Sequence, residues 1–310
     1  MSYLLIPLLC LLAATKITLQ SHFSKSGGND LFSKFLYNGI MFAAISLLFL
    51  PFLFLNGMSG PTALYGTLMG ALSVLYQACY IVAFSKGSVT LTVIVNNFAM
   101  LLPTLFSVVA FSEPFGVAKG IGTALALASF CLTVSRDKRA DVGKQKNHRL
   151  WAFLMLFVFF TNGLCSITQK IYAMHHPESF DPFGYVFIGY LAASLLTGLL
   201  LLCVRARKKN GRARAEGTVA EPAVQAPPRP HVSRALVLSA VGAGAALGVF
   251  QCLYTYSAKV LDGSVLYPAF NCATSVLLCL IGFFLFRERL SRLQYVGVIL
   301  GLSAILLLCI

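Results

Sequence analysis

Ten apolar blocks divide this chain, at about 3–21, 33–55, 61–84, 89–111, 115–135, 150–173, 183–204, 235–257, 263–286 and 291–310. A helix rises 1.5 Å per residue and a bilayer's hydrocarbon core is ~30 Å thick, so a block of about twenty residues is one crossing. Lipid offers the backbone no hydrogen bonds, so each block must satisfy its own and form a helix. Composition leaves little room for another reading. Of 310 residues, 58% are hydrophobic and 11% charged, where soluble domains carry about a quarter charged. A mean hydropathy of +0.80 leaves too few polar residues to cover a water-facing surface. The expected fold is all-α and integral to the membrane, with about ten transmembrane helices and the lipid bilayer as main partner.

The connectors are short, and Ser112-Glu113-Pro114 makes blocks four and five a tight antiparallel hairpin. One connector is long: 205–234 is basic, then Pro/Ala-rich from Ala220 to Pro230. With almost nothing apolar to bury, it is expected to be a disordered loop. Of 24 Lys and Arg, 20 fall on alternate connectors: Lys25 and Lys34, Lys86, the segments 136–149 and 205–234, and Arg287, Arg289 and Arg292. The positive-inside rule places that side in the cytoplasm and both termini outside, in a multi-pass plasma (inner) membrane protein. The net charge of +14 is thus a topology signal, and nucleic acid is not an expected partner. The N-terminus is apolar from Tyr3 without a basic leader region, which reads as a first helix, not a cleaved signal peptide. Nine cysteines lie in or at the ends of apolar blocks with no CxxC or Cys/His ligand spacing. They read as small buried residues, and no metal or cofactor is expected.

The halves resemble each other. At an offset of 174, Gly70, Ala71, Gln77 and Tyr80 match Gly244, Ala245, Gln251 and Tyr254; at 175, Asn96, Phe111, Glu113 and Gly122 match Asn271, Phe286, Glu288 and Gly297. The units are 1–135 and 150–310, the latter containing the long loop, with a basic cytoplasmic connector at 136–149. Five is an odd number of crossings, so a duplicated unit inserts upside down relative to its twin, as in alternating-access transporters.

The segments Ala83–Leu132 and Ala258–Leu308 resemble the drug/metabolite transporter superfamily, in particular its EamA-like families. The likeness is carried by the hairpins Phe111-Ser112-Glu113-Pro114 and Phe286-Arg287-Glu288-Arg289-Leu290-Ser291, each followed by a last helix bearing Gly122 or Gly297. Gln169-Lys170 followed by Asp181-Pro182 fits as well. The resemblance implies five plus five inverted helices around a central substrate cavity. Such families often carry a proline in the fourth helix of each half; here Pro103 and Pro268 lie at different depths, so no symmetric kink is expected. Substrates in the superfamily range from amino acids and nucleotide sugars to cationic drugs.

Polar side chains inside the blocks are candidate functional groups because lipid penalises them, by roughly 2.5–3.5 kcal/mol for a central Lys. Gln77, Gln251, Asn96, Asn97 and Asn271 either line a wet cavity or hold helices together at about 0.6 kcal/mol each. Their symmetric placement favours the cavity. Tyr76, Tyr80, Tyr254 and Tyr256 form an aromatic wall there or an interfacial belt. Lys16 and Lys170 either snorkel to the interface or neutralise an anionic substrate group such as a carboxylate. The substrate-binding set is Lys16, Gln77, Tyr80, Asn96, Lys170, Gln251, Tyr254 and Asn271. Glu113 and Glu288 open the fifth helices and read as capping or gating groups, with proton coupling as the alternative. His175, His176, Glu178 and Asp181 cluster in one loop without a metal-ligand spacing. Gly116/Gly120 and Gly297/Gly301 read as small-residue packing faces, within the chain or in a homodimer.

The function expected is secondary transport of a small organic solute, amino acid-like or another small metabolite, by alternating access. The alternatives are an exporter of amphipathic drugs or toxic compounds and a non-transporting scaffold. An enzyme is not expected: no nucleophile, metal cluster or paired carboxylates share one depth.

Overall fold

The computed structural model describes residues 4–26, 31–56, 58–86, 89–133, 148–216, 234–285 and 291–308. Glu288 lies outside them, as does the expected connector apart from His148 and Arg149. The described residues form eleven helices and no strand: α1 Leu5–Ser26, α2 Leu31–Asn56, α3 Gly60–Lys86, α4 Val89–Phe98, α5 Leu101–Phe111, α6 Val117–Thr133, α7 His148–His175, α8 Pro182–Glu216, α9 Arg234–Val260, α10 Gly263–Leu285 and α11 Arg292–Leu308. Five stretches, in α2, α7, α8, α9 and α10, are long and apolar enough to cross a membrane, and shorter apolar stretches lie in α1, across α4 and α5, in α6 and in α11.

The eleventh helix arises because the fourth block is broken in two. Pro103 has no N–H to offer the Ala99 carbonyl, and its ring crowds that group. The chain tightens instead: Ala99 and Met100 donate three residues back, to Asn96 and Asn97, at 3.2 and 3.3 Å. Pro268 interrupts nothing, since it lies in the second turn of a continuous α10, where the carbonyl it deprives belongs to the helix start. A second difference concerns 205–234. Its first part is not loop: α8 continues to Glu216. Arg, Lys and Ala are good helix formers, and basic residues at a helix C-terminus complement its dipole.

Polarity is distributed for an apolar solvent. Outward-facing side chains include Leu47, Phe54, Val109, Leu195, Leu238 and Leu306, while Asn38, Thr104, Ser107, Thr168, Gln169 and Lys170 are buried. In water such an exterior would be one vast sticky patch; in lipid it is the expected surface.

Helix contacts keep their pattern when the two halves are exchanged. α2 packs on α8 and α6 on α11; α3 packs on α7 and α8, while α9 packs on α1 and α2. The matched glycines of the repeat sit at two of these exchanged crossings. A Cβ on Gly70 would run into the Gly189 carbonyl of α8, and one on Gly244 would lie 2.8 Å from the Met41 carbonyl oxygen of α2. At α6 and α11 the packing residues differ in part from those expected. Gly116 lies before α6 in open space and Gly120 meets only Phe115, so neither packs helices. Gly122 takes that role against Ala304 and Leu308, and farther along the same crossing buried Gly297 and Gly301 meet Ser129. Ser129 seals this contact by donating to the Gly297 carbonyl at 2.7 Å.

Candidate functional site

The bundle encloses a cavity of about 210 Å³ lined from α1, α2, α3, the α4–α5 break, α7, α8, α9 and α10. Among the described residues, none of α6 or α11, which pack on each other, lines it. From α3 come Met69, Ser73, Tyr76 and Gln77; from α9 come Leu247, Phe250, Gln251 and Tyr254. At the repeat offset of 174, Ser73, Tyr76 and Gln77 correspond to Leu247, Phe250 and Gln251, so one register on each helix faces the centre. The break supplies Ala99, Met100 and Pro103, and α10 supplies Tyr267, Phe270 and Asn271. Phe250, Tyr254 and Phe270 form a ring trio with centroids 5.2–5.3 Å apart.

Of the residues expected from the sequence, Lys16, Tyr76, Gln77, Gln251, Tyr254 and Asn271 line this cavity. Asn96 stands one layer behind it. Asn162 Nδ2 donates to Asn96 Oδ1 at 3.1 Å and to its carbonyl at 3.3 Å, and Asn96 also bonds the Tyr76 hydroxyl. It thereby steers two groups that do face the cavity. Tyr80 stacks on Tyr76 from behind, centroids 5.5 Å apart, and Tyr256 faces outward.

Lys170 and Glu113 are elsewhere, together. Lys170 Nζ lies 2.9 Å from Glu113 Oε1, with side chains 2% and 7% exposed. The ammonium also donates to the Leu261 carbonyl at 3.0 Å. Glu113 does act as a cap, on a different helix from the one expected: its Oε2 accepts the Ser264 N–H at 2.9 Å, at the start of α10. A neighbouring pair, Lys119 and Asp262 at 3.3 Å, ties α6 to the α9–α10 turn. His175, the last residue of α7, and His176 pack tilted against rings, Phe111 and Tyr65 respectively. Asp181 caps α8 by accepting the Phe183 and Gly184 N–H groups at 3.1 Å.

Sequence reasoning missed the polar stripe of α7: Asn162, Cys165, Ser166 and Gln169 all line the cavity. Their spacing of three, one and three residues is a single helical face, a readable signal. It went unread because repeat symmetry was the criterion and this stripe has no polar twin in the first half. Ser166 accepts from Tyr267 OH at 3.3 Å through its carbonyl, and Gln169 donates to the Thr255 hydroxyl, so the stripe also joins α7 to α9 and α10.

A family model described as the EamA-like transporter family matches residues 3–135 and 149–310. A solved crystal structure superposes with a TM-score of 0.73 over 99% of this chain and 95% of its own, at 15% identity, a likeness of fold alone. No curated protein matches the chain.

Proposed function

Since the chain belongs to the EamA-like transporter family, we propose that it moves a small organic solute across the membrane by alternating access around the central cavity. The observation that carries this reading is the cavity itself, where amide and aromatic groups from both halves meet inside an apolar shell. A solute leaving water needs replacement hydrogen bonds, and Gln77, Asn162, Gln169, Gln251 and Asn271 can supply them. Size argues for a metabolite over a drug: about 210 Å³ falls short of the roughly 300–1,000 Å³ of pockets for drug-sized ligands. Exchange of helix contacts between halves supports an inverted repeat, the arrangement that lets one half rock against the other. Glu113, held in a buried ion pair, serves as the gate group at its end of the bundle.

Purified protein in liposomes is expected to show solute flux. Gln77→Leu and Gln251→Leu should each weaken binding of the transported solute by roughly 5- to 150-fold, since a deleted partner leaves a buried polar group unpaired at about 1–3 kcal/mol. Insertion should survive, because Leu is better tolerated in lipid than Gln. Lowered melting temperature with unchanged affinity in both variants would make the glutamines helix glue instead.

The charge distribution supports an orientation with the basic connectors in the cytoplasm. In a cysteine-less background, Lys144→Cys and Thr218→Cys should react with an impermeant thiol reagent only after the membrane is opened. Ser179→Cys should react in intact cells. The reverse labelling pattern would invert the assignment.

A further inference from the structure

We propose that the solute is a small organic anion, a carboxylate on a compact apolar body, with Lys16 as its counter-charge. Lys16 lies eleven residues into α1, near the middle of that helix, and its side chain lines the cavity. Among the described residues no carboxylate lines the cavity with it. Two other lysines have acidic partners, Lys170 with Glu113 and Lys119 with Asp262; Lys34, partly buried with no ion pair among the described residues, sits in the first turn of α2, away from the cavity lining. Asp181 is committed to the α8 start. Lys16 has no ion pair or hydrogen bond with any described residue. A charge kept at mid-helix without a partner is costly in lipid, and such residues mark substrate or ion pathways. The missing partner is most simply the solute.

The rest of the lining fits one negative group on an apolar body. α1 packs against α9 and α10, the helices that carry the Phe250, Tyr254 and Phe270 trio. An ammonium and an apolar ring surface therefore line one cavity. The amides around them are uncharged and donate as well as accept, so they serve a carboxylate without competing for the cation. A solute cation would meet Lys16 with no acid to offset the repulsion.

The proposal rests on the transport reading, and its test separates the two. Thermal shifts of purified wild-type protein are measured with benzoate, 3-phenylpropionate and 4-methylpentanoate, each beside its own primary amide and its own amine. At least one acid is expected to raise the melting temperature while its amide and amine do not, because a binder stabilises by mass action. Lys16→Gln should weaken that acid's binding by about 10- to 150-fold, the range for a charge-assisted hydrogen bond. Lys16→Arg should retain more of it. Three outcomes overturn the proposal: amides or amines stabilise as well as the acids, no acid stabilises the wild type, or Lys16→Gln binds unchanged. Flux of a neutral solute in liposomes would sink the charge assignment alone; acid binding without flux would sink transport alone.

Discussion

Glu113→Gln alone should destabilise the protein by about 3–5 kcal/mol, the cost of stranding one partner of a buried ion pair. Lys170 would keep its charge at 2% side-chain exposure with the Leu261 carbonyl and, 5.9 Å away, the Phe111 ring against it but no carboxylate. Lys170→Met should cost less, since the Glu113 carboxylate would still cap the Ser264 N–H and face the positive end of α10. The double variant Glu113→Gln/Lys170→Met should recover much of the loss, because replacing a whole buried pair is often neutral. Unfolding of the four proteins in one detergent closes the cycle. A coupling below about 0.5 kcal/mol would mean that water already reaches the pair. That difference would suit the pair to the proposed gating: wetted, such a pair is worth about 0–1 kcal/mol, so a bundle end that opened would loosen its own fastening.

Gly70→Ala and Gly244→Ala are expected to be the most damaging single-methyl additions, while Gly198→Ala should be neutral or mildly stabilising. The first two methyls meet backbone, Gly189 of α8 and Met41 of α2, which can yield only if whole helices separate. Overpacking of this kind costs typically 1–3 kcal/mol and sometimes more. A Cβ on Gly198 meets nothing within 4 Å, and Ala gains about 1 kcal/mol of helix propensity over Gly. Melting temperatures of the three variants should therefore fall on both sides of the wild type. If Gly70→Ala or Gly244→Ala melts with Gly198→Ala, the close crossings are wrong.

These glycines also show what was legible in the sequence. Gly70 and Gly244 stood out as a repeat match, and the match has a packing cause. Hydrophobic blocks gave the helices because lipid forces every crossing to close its own hydrogen bonds. The α4–α5 break and the continuation of α8 to Glu216 were harder to read, since both depend on local backbone competition within otherwise plausible segments. Partner choice was harder still. Lys170 and Glu113 are 57 residues apart, and nothing in either neighbourhood names the other. Glu113 was expected to cap a helix and does, on α10, a contact only the assembled bundle creates. Lys16 and Lys170 looked alike in sequence, yet one faces the cavity and the other an acid.

Pro103 gives the first half a joint at residues 99–100 that the second half lacks, and the joint is itself part of the cavity wall. Under the proposed alternating access, perfectly copied halves would leave the empty protein open to each side for equal times. Each inequivalence would tilt that balance: the split fourth helix, Tyr76 where the other half has Phe250, Ser73 where it has Leu247. A tilt of about 1.4 kcal/mol already means ten molecules waiting on one side for each on the other. The joint that distinguishes the repeats would thus, under the proposed alternating access, help set which compartment the unloaded protein listens to, and so which concentration of solute it answers.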